Sequence, residues 1–184
     1  MIIGQFCPLV NRINGKPAES AAEVRSVSLA IDLAALFRRD LTRLAQELRA
    51  FPDDSPLWVK PPGINNSIGT LVLHLEANLR DYIGLQLGGM PYARERDREF
   101  SETGLSIDDL RTRIDSLANT IPEVLAGLSE DDLSEMYSKK AWSAPVSMAQ
   151  FLIHLHGHLN YHLGQIDYLR RILTNAGAID FVQL

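Results

Sequence analysis

His154-Leu155-His156-Gly157-His158-Leu159-Asn160-Tyr161-His162-Leu163-Gly164-Gln165 holds four of the five histidines in this 184-residue chain. It lies inside a longer apolar run, Phe151, Leu152, Leu155, Leu159, Ile166 and Leu169, whose spacing is helical. On a helix, residues four apart project from nearly the same side. His158 therefore pairs with His162, and His154 with His158. Two imidazoles so placed can grip one metal ion, although two ligands alone make a weak site. The fifth histidine, His74, sits in a different apolar-periodic segment and can arrive from another helix. The spacing points to a site built from His74, His158 and His162. His156 stands about 200° around the helix from His158 and points away. His154 lies two turns from His162 and reads as a near-site or helix-packing residue.

Three further stripes of helical period flank this one. The first helix is expected to start at Ser20, where Ser20-x-x-Glu23 matches a capping box. It continues through Val27, Ile31, Ala34, Phe37, Leu41, Leu44 and Leu48, and Phe51-Pro52 closes it. The second opens at Asn66 or Ser67, runs through Leu71, Leu75, Leu79 and Ile83, and ends at Gly88-Gly89. The third is capped by Ser106 with Asp109 three residues on, and Pro122 within it is expected to kink or split it. The last opens at Ser147-x-x-Gln150, and Arg170 and Arg171 suit its negative end. The expected fold is all-α, a single four-helix bundle over 1–184, with helices at 20–49, 67–88, 106–126 and 147–173.

The connections differ in character. Residues 1–18 carry Cys7-Pro8, Asn14-Gly15 and Lys16-Pro17 and read as an irregular arm. Trp58 sits in a proline-rich loop, either as a lid on the bundle end or as a pocket wall. Residues 89–105 are long for a bundle connection and mix charges. They form either a solvated crossover or a functional loop in which Arg94, Arg96 or Arg98 meets an anionic substrate. Their length should let the chain depart from simple up-down wiring.

His158-x-x-x-His162-x-Gly164-Gln165, together with His74 in Asn66-Ser67-Ile68-Gly69-Thr70-Leu71-Val72-Leu73-His74-Leu75, resembles the signature of the DinB/YfiT-like superfamily. The resemblance spans roughly residues 25 to 173. It implies a four-helix bundle, a homodimer, and a divalent metal held by three histidines, with His74 the first. The family often carries Arg where Leu163 stands, so any role of that arginine is not expected here. Characterised relatives include thiol S-transferases that use low-molecular-weight thiols, and a thiol-dependent isomerase. The resemblance thus implies a metal-dependent enzyme acting on a small molecule.

Composition narrows the field. The apolar fraction is 46%, the charged fraction 22% and the net charge -5, ordinary values for a water-soluble domain. No long basic run suggests a nucleic-acid footprint. No segment approaches a membrane span, and the first eleven residues lack the basic start of a secretory signal. The cytoplasm is the expected location. The single cysteine, Cys7, excludes an internal disulfide framework.

Three neutral imidazoles leave a divalent ion its full charge and open positions, the pattern of catalytic sites. Ligand softness favours zinc, then nickel, with iron or manganese behind. Asn78 and Gln165 are candidates to orient a ligand imidazole or a bound water. Tyr161 and Tyr168 could donate to a substrate or pack in the core. Gly164 inside a helix implies close helix packing there. No carboxylate base is evident beside the histidines. That ranks thiol S-transfer, with the thiol made anionic at the metal, ahead of a hydrolase using metal-bound water. A non-catalytic helical homodimer with structural metal or none is the reading outside enzymes.

Overall fold

Ser28, Ser67, Ser106 and Ser147 each stand before a long helix, and each side-chain oxygen accepts a backbone N–H from the first turn. The structure, a computed structural model, describes residues 28–139 and 144–180. Its long helices are α1 (Leu29–Arg49), α2 (Ile68–Leu79), α4 (Ile107–Ala126) and α6 (Met148–Thr174). Two short helices, α3 (Arg96–Ser101) and α5 (Glu130–Ser134), lie in the connections. The described residues contain no β-strand, only one isolated bridge between Met136 and Ser147. The architecture is an all-α bundle of four main helices.

Several boundaries differ from the sequence reading. Helix α1 begins at Leu29 under Ser28, instead of running on from Ser20. Ser20 and Glu23 lie outside the described residues, as do the 1–18 arm and Cys7. Pro122 does not split α4, which continues from Ile107 to Ala126. At Ser106 the reciprocal box with Asp109 forms, whereas at Ser147 only the serine half does. Helix α2 passes into a π-helical turn, Arg80–Leu85, where the Gln86 N–H reaches the Asp81 carbonyl. One extra residue per turn re-aims the side chains that follow, and such turns concentrate at functional sites. The 89–105 connection is not irregular throughout, because α3 forms inside it.

The wiring follows from which helices touch. Helix α1 packs on α4 and α6, and α2 packs on the same two. Among the described residues the backbones of α1 and α2 do not come together, nor do those of α4 and α6. The bundle order is therefore α1, α4, α2, α6, and the chain crosses the diagonal between α1 and α2 and again between α4 and α6. It departs from simple up-down wiring at those two crossings. The long 89–105 segment joins neighbours. Phe37, Leu41, Leu44 and Leu48 of α1 meet Leu110, Ile114 and Ile121 of α4 and Leu152, Leu159 and Ile166 of α6 in one apolar core. Removing such side chains from water supplies most of the folding drive.

Polar ties fix how α6 is rotated. Asp40 on α1 is fully buried, and it accepts from Arg39 at 2.8 Å, Arg43 at 3.1 Å and Asn160 at 2.9 Å. His156 Nε2 lies 2.8 Å from Asp40 Oδ2, the oxygen that Asn160 also reaches, so His156 does point away from His158, toward α1. Farther along, Arg170 pairs with Glu47. Both are buried, and Arg170 also donates to the Gly177 carbonyl at 3.1 Å. Arg170, expected to suit the negative end of the helix, is thus a buried tie between helices. With this one face of α6 turned to α1, His158 and His162 are left facing α2. The described residues include no helix long and apolar enough to cross a membrane.

Desolvation pushes the Asp40 carboxyl up. Hydrogen bonds from His156, Arg39 and Asn160 outweigh it and hold the carboxyl well below the usual carboxylate range. A depressed folded-state value means the contribution is complete above the unfolded value near ~3.9 and is lost as pH falls below it. Asp40→Asn should therefore lower stability at neutral pH by about 1–3 kcal/mol. It should also flatten the decline in stability below about pH 4. Urea unfolding across that range reads both effects.

Candidate metal centre

His74 projects from α2 and is buried. His158 and His162, one turn apart on α6, face it and are half-buried. His158 Nε2 lies 3.2 Å from His74 Nε2 and 3.0 Å from His162 Nε2. One nitrogen from each of the three rings falls within 4.8 Å of the other two. Three histidines foreseen from their spacing are therefore brought together. They form a cluster able to hold a divalent ion.

The outer nitrogens decide what the inner ones can do. His74 Nδ1–H donates to Glu99 Oε2 at 2.9 Å, because a carboxylate can only accept. His162 Nδ1–H donates to Gln165 Oε1 at 2.7 Å. In neutral rings each imidazole has one proton, so Nε2 of His74 and of His162 present bare lone pairs. A proton on His158 Nε2 can serve only one of them. Burial holds the His158 ring down to about 4, with the neighbouring His162 and His74 adding to it. Burial likewise lowers His74, against the pull of Glu99. The donor set is thus three neutral nitrogens converging on one point, which suits a divalent cation.

Glu99 is the functional residue that sequence reasoning missed. It comes from α3, is 5% exposed, and stands between His74 and Arg94. Arg94 donates to it twice, at 2.6 and 3.0 Å. Desolvation raises the Glu99 carboxyl, but the bonds from Arg94 and His74 outweigh it and hold it below its usual range. Arg94 also approaches Asp81 at 3.5 Å, and Asp81 accepts from Lys139 at 2.6 Å. The signal available in sequence was chemical. A ligating histidine almost always donates its other N–H to an acceptor, and the connection that follows the His74 helix carries Glu95, Asp97 and Glu99.

The other candidates separate cleanly. Gln165 does orient a histidine of the cluster. Asn78 is expected to do the same, but its amide oxygen is buried without a hydrogen-bond partner and so orients no imidazole. Trp58 packs as a lid. Its indole N–H donates to the Leu105 carbonyl at 3.1 Å, and its ring lies where a Cβ on Gly69 would be 2.5 Å away. Arg94 serves Glu99, Arg98 pairs with Glu102 at 3.2 Å, and Arg96 stacks over Phe100. Tyr161 and Tyr168 are both 65% exposed, so neither belongs to the core. A Cβ at Gly164 would meet nothing within 4 Å, so no close helix packing explains that glycine. His154 is exposed and lies outside the cluster, beside a cleft of about 330 Å³. That cleft opens onto His74 and His158 and is also bordered by Asn78, Tyr82, Arg96 and Phe151.

Comparison with known proteins agrees with the fold. The family description for the DinB superfamily matches residues 36–166, and the chain belongs to that superfamily. A DinB-like protein from Bacillus cereus is similar in structure, with a TM-score of 0.63 at 15% identity over 80% of this chain and 94% of that one. A conserved protein from Enterococcus faecalis gives 0.61 at 16%, covering 82% of this chain and 100% of its own. YfiT from Bacillus subtilis, described as a probable metal-dependent hydrolase with an unusual four-helix bundle topology, gives 0.58 at 15% over 87% and 94%. No curated protein matches the chain.

Glu99 should fix the His74 tautomer. In metal-free protein, imidazole nitrogen NMR is expected to show His74 protonated at Nδ1. Glu99→Ala should convert that signal to a tautomer mixture while leaving His162, held by Gln165, unchanged. A His74 signal insensitive to Glu99→Ala would contradict the assignment.

Proposed function

We propose that the chain is a divalent-metal-dependent enzyme in which His74, His158 and His162 are the metal ligands and a low-molecular-weight thiol is the nucleophile. The observation that carries this is the ligand set: three neutral imidazoles with no carboxylate or thiolate among them. A divalent ion held there, zinc or nickel by ligand softness, keeps its full charge and favours the anionic form of a bound thiol. The protein's own groups do the rest. Glu99 and Gln165 hold the ligand rings in one tautomer and orientation. Phe100, with its ring 5.4 Å from that of His74, and Phe151 at the cleft wall limit water around the reacting sulfur. The thiol proton leaves to solvent, sulfur bonds to an electrophilic carbon, and the leaving group departs with its electron pair.

Hydrolysis is the second reading, favoured by the likeness to YfiT and its printed description. It asks for a base to take a proton from water. The nearest carboxylate, Glu99, already has one oxygen committed to Arg94 and the other to both His74 and Arg94. That ranks thiol transfer first. The exposed Ile153, Tyr161, Tyr168 and Ile172 on α6 support a homodimer; sedimentation at micromolar concentration should give the dimer mass, and a monomer would refute it.

Protein purified without added metal is expected to contain close to one divalent ion per chain by elemental analysis. His74→Ala, His158→Ala and His162→Ala should each lose it, and His156→Ala should keep it. Glu99→Ala should weaken metal affinity about 10–100-fold. With metal present, bacillithiol, mycothiol or glutathione should be consumed stoichiometrically with an alkyl electrophile. Ester or amide cleavage without any thiol requirement would move the assignment to hydrolase.

A further inference from the structure

The cleft beside the histidines carries two polar groups that the metal cluster does not use. Arg96 borders it, and among the described residues its guanidinium has only the Phe100 ring as a partner, 5.7 Å from the centroid. Its neighbours in the chain differ: Arg94 is committed to Glu99 and Arg98 to Glu102. A guanidinium poised on an aromatic face keeps its planar fork of donors available for a carboxylate. Asn78 borders the same cleft, one turn along α2 from His74. It is 7% exposed, and its amide oxygen has no hydrogen-bond partner. A buried acceptor left unmet is unfavourable, and a small turn of the amide would offer it to a ligand N–H. Tyr82 and Phe151, with ring centroids 5.3 Å apart, supply an apolar wall to the same cleft.

We infer that this cleft selects a small carboxylate that also bears an amide N–H, with Arg96 pairing to the carboxylate and Asn78 accepting the N–H. An amide suits the place better than an ammonium, because Arg96 and a divalent ion in the cluster would repel a further positive charge. The inference rests on the proposed enzymatic reading for where the substrate lies, and it adds which molecules are admitted. Arg96 and Asn78 are specificity residues that touch the non-reacting part of the substrate.

Calorimetric titration of the zinc-loaded protein tests this with a matched set of probes. N-Acetyl-L-cysteine carries thiol, amide and carboxylate. N-Acetylcysteamine lacks the carboxylate, 3-mercaptopropionate lacks the amide, and N-acetyl-L-serine lacks the thiol. N-Acetyl-L-cysteine should bind about tenfold more tightly than N-acetylcysteamine and than 3-mercaptopropionate, the scale of one charge-assisted contact. Arg96→Gln should erase the first difference while leaving affinity for N-acetylcysteamine and zinc content unchanged. Asn78→Leu should erase the second. Arg96 is exposed, so its variant keeps the test decisive even if Asn78→Leu fails to fold. Equal binding of N-acetyl-L-cysteine and N-acetylcysteamine would overturn the inference. So would an Arg96→Gln variant that weakens both alike. If N-acetyl-L-serine binds as tightly as N-acetyl-L-cysteine and depends equally on Arg96, the cleft selects as inferred and the thiol reading falls instead.

Discussion

Lone pairs repel when they are driven together, and this bundle drives three of them together. His74 and His162 each have the outer nitrogen engaged by an oxygen acceptor, Glu99 in one case and Gln165 in the other. Their inner nitrogens stand 3.2 and 3.0 Å from that of His158. One shared proton cannot satisfy both contacts. Protonating the rings is opposed by burial, which pushes His158 and His74 down. A divalent cation resolves the conflict, because it attracts all three lone pairs at once. Much of the remaining polar architecture can be read as what keeps those nitrogens where they are.

That architecture has two parts. On one side, α3 lays Glu99 against His74, and Arg94 neutralises Glu99 so that it can stay buried and ionised. Arg94 is itself steadied by Asp81, which the π-helical turn presents beside Lys139. On the other side, Asp40 and Glu47 of α1 hold His156, Asn160 and Arg170 of α6. Buried ion pairs add little net stability compared with apolar packing, but breaking one is costly. Their use here is rotational: α6 cannot turn without stranding a charge, so His158 and His162 stay directed at α2.

The four helices were legible because their apolar residues recur at a period that only a helix buries on one face. The three histidines were legible because two share a face at four-residue spacing and a third lies in another stripe. What was hidden is tertiary. Glu99 reaches His74 across 25 residues of sequence, and nothing local separates it from Glu95 or Asp97. Asp40, Glu47 and Arg170 are charged residues in amphipathic helices, where charge ordinarily means solvent, and only their pairing across helices permits burial. Ser20 and Ser28 are both sound caps, and the earlier one has the better motif, yet the later one opens the helix. The π-helical turn leaves the apolar pattern intact and so leaves no trace. Stripes likewise say which face is inside but not which helix is next door, so the two diagonal crossings could not be read.

X-ray absorption at the metal edge of the zinc-loaded protein tests the central claim most directly. The account predicts nitrogen or oxygen scatterers at about 2.0–2.2 Å with the outer-shell pattern of three imidazoles and no sulfur. His74→Ala should reduce that pattern to two imidazoles. A spectrum without imidazole scattering, or one unchanged by His74→Ala, would contradict it.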